Sequence, residues 1–440
     1  MISGPITGGN GVSLLSGAID LAATKYTQTE YFASGTATSF SAVGAEGTDG
    51  RWKVAPNDHA TYRTRIIVRR PSNPKLFNGT VLVEWLNVSA GADTAPDFTY
   101  AGTEITRSGY AWVGVSVQKI GVSGGTGVVQ VGPPTGGLVG TDPARYGSLH
   151  HPGDQYSLDM YTQIGRALRR PGALDALGGL HPSQMIAVGE SQSAFELTTY
   201  IDAIQPTTHL FDGFFVHSRG GGAIPIAGGN IGTGISGGIR IRTDTGVPVF
   251  LFETETDEAQ LQYFDARQPD SHFLRLWDVA GASHADAYIV GGNANALPCN
   301  GEINSAPTHY VVAAALSQLN RWIHTGTPPP SAPRMKVALV NGAPVVQRDA
   351  LGNAIGGVRT AANNAPVAAL SGVSGDPSSV LCSLFGSTKP FDQATLTRLY
   401  GTEARFLADF TRATNRTIAK GFELRADRPA ILAEAAKVKI

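Results

Sequence analysis

With 440 residues, 42% of them hydrophobic and only 16% charged, the chain can bury a large core and is excluded from the disordered class. Its 34 Lys and Arg balance 35 Asp and Glu, and the basic doublets Arg69-Arg70 and Arg169-Arg170 are isolated, so neither nucleic acid nor an anionic membrane is an expected partner. No apolar run approaches the roughly 18 residues of a spanning helix, and the N-terminus, MISGPITGGN, lacks the basic-then-apolar pattern of a signal peptide.

Residues 1–50 are rich in Gly, Ser and Thr without sustained periodicity and read as an N-terminal arm lying over the body. Regular structure begins with two β-branched runs, Tyr62 to Arg70 and Thr80 to Leu86, bounded by Pro71, Pro74 and the Asn78-Gly79 turn signal; both are expected as strands. A helix over Asp97 to Arg107 and a nearly continuous apolar strand, Tyr110 to Val117, follow. The alternation then repeats. A helix near Tyr156 to Arg169, a strand at Gln184 to Val188 and a helix from Ser191 to Ile204 precede strands at Phe211 to Val216, Val247 to Glu253 and Phe273 to Val279. Strands separated by helices predict an α/β fold, a doubly wound and mostly parallel sheet within residues 51–327. Gly-rich insertions at about 121–150 and 220–246 are candidates for the walls of a substrate site. After a helix at Pro307 to His324, the run Pro328-Pro329-Pro330 ends the core, and residues 328–440 are expected as a C-terminal extension packed on it. Its last helix would be capped by Thr402 and stopped by Gly421.

The sharpest chemical signal is Gly189-Glu190-Ser191-Gln192-Ser193, between the strand MIAV and an amphipathic helix. A tight strand-to-helix turn of this kind lifts a nucleophilic serine to the C-terminal edge of a sheet, with small residues two before and two after it; Ser193 stands where Gly is commoner. Such a hydroxyl needs a base and the base needs a carboxylate, in the chain order Ser, acid, His. His284, just past the strand FLRLWDVAG, is the expected base, whereas His217 at a strand end reads as structural. Asp257 is the favoured acid after the strand VPVFLFE, with Glu255 as its rival. The oxyanion donors would be the backbone N–H of Gln192 and one from the loop near Asn87 or Val88, of which Val88 is preferred. No His-Glu-x-x-His, Cys-x-x-Cys or phosphate-cradling loop appears, so no metal and no cofactor is expected.

Beyond these residues, the stretches RTRIIVRRP, FNGTVLVEWLNVS, GYAWVGVSVQ, DPARYGSLHHPGD, VGESQSAFEL, HSRGG and CSLFGSTKPF resemble the serine esterases of the α/β-hydrolase superfamily, in a branch of bacterial alpha/beta-hydrolase-domain proteins. The resemblance covers most of the chain from about residue 60 onward and implies a triad of Ser191, His284 and an acidic residue, with export to the periplasm or medium. The expectation is therefore a carboxylic-ester hydrolase acting on small or aromatic esters through an acyl-enzyme. An acyltransferase using the same triad and a non-catalytic binding protein are the rivals. For an exported chain, the only two cysteines, Cys299 and Cys382, are expected to form a disulfide pinning the helical tail to the sheet domain.

Overall fold

The computed structural model describes the backbone of residues 1–440 other than 18, 130–134, 375, 377 and 378, and the side chains of these other than 293, 295 and 296. The chain divides into two compact units. The first is Met1–Phe250 with Asp265–Gln268 and His272–Leu274; the second is Leu251–Phe264 with Pro269–Ser271 and Arg275–Ile440.

Seven strands order the first unit: β1 (Ile2–Ser3), β2 (Tyr26–Ala42), β3 (Val54–Pro71), β5 (Ala111–Val115), β4 (Thr80–Trp85), β6 (Gln184–Glu190) and β7 (Gly213–His217). The pairings of β4 with β5 and β6, and of β6 with β7, are parallel. Apart from Gln184, every residue of these four strands is buried, which is why they are written as apolar runs such as Val81-Leu82-Val83 and Met185-Ile186-Ala187-Val188. Parallel neighbours need crossovers, and the helices Pro96–Arg107, Ser157–Arg169 and Gln192–Thr199 supply them.

Within residues 1–50, expected as an arm, the structure places the long strand β2. β2 pairs antiparallel with β3 along its length, from Tyr26 opposite Pro71 to Ala42 opposite Val54, with an irregularity between Thr38 and Phe40. Its alternation is faint because half-exposed positions are filled with Thr, Ser and Gln rather than Val or Ile. Beneath the pair lies Arg65, whose side chain is fully buried and bonds to Glu30 of β2 at 2.7 Å and to Asp93 at 2.6 Å. Glu30 also accepts from the Tyr146 hydroxyl at 2.8 Å, so both sides of this buried cation are tied down.

The second unit carries most of β8 (Val249–Thr254) and β9 (Leu274–Val279), both wholly buried. Two antiparallel hairpin-like pairs follow, β10 (Val337–Val340) with β11 (Ala343–Val346) and β12 (Ala368–Ser371) with β13 (Ser387–Pro390). The helix Glu403–Ala419 is capped as expected, the Thr402 hydroxyl accepting from Arg405 N–H at 3.2 Å. Compactness does not divide the chain at residues 327 and 328. The segments beyond the proline run are bonded to the end of β9, with Trp277 Nε1 donating to Pro330 O (2.9 Å), Met335 N–H to Asp278 Oδ2 (2.9 Å) and Ala280 N–H to Val358 O (3.0 Å). Among the described residues no helix is long and apolar enough to cross a membrane.

Cys299 and Cys382, 83 residues apart, are joined by a disulfide within the second unit. Just past it, Leu384 O accepts from Ala285 N–H (3.0 Å) and Phe385 O from Asn304 N–H (2.9 Å), so the bridge fixes the segment against the loop that holds His284. Loop-closure entropy for a ring of this length gives an upper figure of about 4.5 kcal/mol. Reduction is therefore expected to lower the melting temperature by up to about 5 °C. Calorimetry with and without reductant checks this, and an unchanged midpoint with both thiols reduced would contradict it.

Candidate active site

β6 ends at Glu190 and the next helix starts at Gln192, which leaves Ser191 alone to turn the chain. That turn puts Ser191 at φ 58°, ψ −122°, a conformation that costs a non-glycine residue on the order of 1–3 kcal/mol. Surrounding bonds hold it there. Ser191 N–H donates to His217 O of β7 at 2.9 Å, and Ser191 O accepts from the N–H groups of Ala194 and Phe195 at 2.8 and 3.2 Å. A Cβ on Gly189 would lie 3.1 Å from the Cβ of Ser193 and 3.0 Å from Leu197 Cδ1, so a larger residue two before the turn would press on both. Ser193 is fully buried, and its small side chain fits where the commoner Gly would stand.

The loop after β4 folds back on itself through two backbone hydrogen bonds between Asn87 and Thr94, of 3.0 and 2.8 Å. From it the Asn87 carboxamide donates to Glu190 O (3.0 Å) and Glu190 Oε2 (3.3 Å), clamping the residue before the turn. Asp93 anchors the same loop to Arg65. The next amide, Val88 N–H, points to Gln192 Oε1 at 3.4 Å. Val88 thus meets the side chain of Gln192, and the Gln192 N–H is a helix-initial amide with no carbonyl one turn earlier in its helix. Beside them opens a cavity of about 490 Å³, walled by Val128 from the first Gly-rich insertion, by Gly153 and Asp154 just past it, and by Ala227 to Asn230 from the second. Residues 130–134 of the first insertion lie outside the described residues.

In the second unit, Thr254 ends β8 and caps the short helix Glu255–Ala259 in a capping box with Asp257. Asp257 Oδ2 accepts from the Thr254 N–H and hydroxyl, both at 2.7 Å, which turns Oδ1 toward His284 Nδ1, also 2.7 Å away. Burial alone would raise the Asp257 carboxyl. The charge and hydrogen bond of His284, with the donors of Thr254, outweigh that and hold it below the ordinary carboxylate value. An ionised Asp257 only accepts, so Nδ1 of His284 carries the proton of their shared hydrogen bond. His284 is also fixed by its backbone, its N–H donating to Thr256 Oγ1 at 3.1 Å.

Glu255, the rival acid, is engaged elsewhere. It pairs with Arg348 at 2.7 Å and accepts from Gly281 N–H (2.7 Å) and Gly372 N–H (3.0 Å). Burial raises its carboxyl even so, against the lowering effect of Arg348 and those amides. Of the expected residues, therefore, the first unit holds Ser191, Gln192 and Val88, and the second holds Asp257, His284 and the disulfide. Sequence reading missed the Asn87 clamp, whose partner is 103 residues away, and the bond between His217 Nδ1 and Asp97 Oδ1 at 2.9 Å. Burial pushes the Asp97 carboxyl well above its ordinary value. The only local hint was that both residues are polar within otherwise apolar sheet edges. Among the described residues, no group of three or more His, Cys, Asp or Glu is arranged to hold a metal ion.

A family model described as Alpha/beta hydrolase domain matches residues 2–433. None of the curated proteins matches the chain. Solved structures similar to it include an esterase from Rhizomucor miehei, 9% identical, covering 67% of this chain and 86% of that one with a TM-score of 0.33. A cold-adapted esterase from an Arctic intertidal metagenomic library is 8% identical, covering 73% and 100% with a TM-score of 0.31. Est1E from Butyrivibrio proteoclasticus is 8% identical, covering 64% and 99% with a TM-score of 0.30. Likenesses at this level bear no argument about activity.

Proposed function

The chain belongs to the alpha/beta-hydrolase domain family, and on that premise we propose that it is a carboxylic-ester hydrolase working through Ser191, His284 and Asp257. The observation that carries the reading is the strained, single-residue turn at Ser191 between a buried strand and a helix N-terminus. In the proposed reaction Ser191 Oγ attacks the ester carbonyl as His284 Nε2 takes its proton. The C–O bond to the alcohol then breaks, and the same proton passes to the leaving oxygen. Asp257 keeps the imidazole in the productive tautomer and stabilises its charged form. The amides of Gln192 and Val88 would hold the oxyanion, aided by the positive end of the helix that Gln192 begins. Water then repeats the sequence on the acyl-serine and releases the acid.

The size of the cavity beside Gln192 supports small esters. The Cys299–Cys382 bridge supports a place in an oxidising compartment, the periplasm or the medium. The test is active-site labelling. A fluorophosphonate is expected to attach to one residue, Ser191, in proportion to the loss of p-nitrophenyl acetate turnover. Attachment at another serine, with the same loss of turnover, would overturn the reading.

A further inference from the structure

We propose that the cavity beside Gln192 receives a neutral, hydroxyl-rich group, so that the substrates are esters of a sugar or polyol unit. This rests on the ester-hydrolase reading and adds the substrate class to it. Val88 and Gln192 form part of the cavity wall, which places whatever fills it next to the amides proposed to hold the oxyanion. Its volume of about 490 Å³ suits one ring with a short substituent, within the roughly 300–1,000 Å³ that small-molecule sites span.

The lining decides the chemistry. Its charged side chains are one of each sign, Lys119 and Asp154, and the Lys119 backbone N–H donates to Asp154 Oδ1 at 2.7 Å. A net anionic or cationic substrate finds no surplus of the opposite charge there. Gln155, Gln192 and Asn230 line the cavity, each with a carboxamide that is donor and acceptor on one group; Gln192 Oε1 already accepts from Val88 N–H and Asn230 Oδ1 from Thr233 N–H, and the NH₂ groups match the oxygen of a hydroxyl. An alkyl chain would cover these groups and offer them nothing. Val88, Ile120 and Pro152 give an apolar strip of the kind that the C–H face of a saturated ring can cover. The wall is compact at one glycine: a Cβ on Gly228 would lie 2.6 Å from Gln155 N, so only glycine lets the second insertion close against the segment 153–155.

The experiment compares two acetates with rings of similar size, methyl glucoside acetylated on its primary hydroxyl and cyclohexylmethyl acetate. The sugar ester is expected to have the higher kcat/KM by at least about tenfold, and the preference is expected to collapse toward unity in the double variant Asp154→Leu, Asn230→Leu. An equal or reversed preference in the unaltered protein, or one unchanged in a folded double variant, would overturn the proposal. Calorimetric titration of the Ser191→Ala protein with both esters separates the two readings. If Ser191 turns over p-nitrophenyl acetate but the sugar ester is neither preferred nor bound, the cavity assignment fails alone. If neither ester is hydrolysed while the sugar ester still binds over the cyclohexyl one, the hydrolase reading fails and the cavity assignment stands.

Discussion

Ser191→Ala is expected to lower kcat on p-nitrophenyl acetate by about a million-fold, with no loss of the folded state. The size of the effect follows from the number of steps that need the hydroxyl: it forms the new bond, gives up the proton and carries the acyl group. Removing it leaves only whatever the oxyanion donors and binding contribute to attack by water. Folding should be spared because the substitution keeps the Cβ and leaves in place the backbone bonds donated to His217 O and accepted from Ala194 N–H. Alanine also fits the same φ of 58° no worse than serine does, so the strain of the turn is unchanged. A melting temperature close to that of the parent, measured beside turnover, completes the test. Retained activity in the folded variant would remove Ser191 from the mechanism.

Asp257→Asn is expected to cost about ten-thousand-fold in turnover, whereas Glu255→Gln should act mainly on stability. The two carboxylates are near neighbours in sequence but are held by different partners. An asparagine at 257 keeps the shape, and its carboxamide can still accept from the Thr254 donors through the oxygen. Its NH₂ then faces His284 Nδ1 as a donor, which draws the imidazole proton to Nε2 and leaves no lone pair to accept from the serine. At 255 the loss is of charge opposite Arg348 and of an acceptor for Gly281 and Gly372, a structural penalty of about 1–3 kcal/mol. Steady-state kinetics with thermal denaturation of both variants distinguishes these outcomes. A larger kinetic loss at Glu255→Gln, with folding intact, would reverse the assignment.

The parallel part of the fold was legible because burial on two faces leaves strands no choice but apolar runs. The strand predicted at Gln184 to Val188 is observed as β6 over Gln184–Glu190, and the helix predicted from Ser191 begins at Gln192. The serine turn was readable for the same reason, being a break of small residues between two strongly patterned elements. β2 was not, since a half-buried antiparallel strand rich in Thr and Ser has the composition of a loop and is fixed by its partner rather than by its own pattern. The pairing of Asp257 with His284 joins residues 27 apart; position after the strand favoured Asp257 over Glu255, but the Thr254 cap that turns one of its oxygens toward His284 was not readable. Asn87 could not be ranked at all, because its role depends on a contact across 103 residues.

Arg65 bears on how the chain can be shortened. Its guanidinium is sealed from water and draws one counter-charge from the amino-terminal strand, Glu30, and the other from the loop that carries Val88, Asp93. A version begun at residue 51 would keep the cation and lose half of its compensation, a change worth about 3–5 kcal/mol when a buried pair is broken. It would also strip β3 of the partner along one side, leaving a long row of unsatisfied amides free to recruit a second molecule. Trimming the weakly patterned start of this protein to improve its handling would thus invite aggregation, and would loosen Asp93 and the loop beside the Ser191 turn along with it.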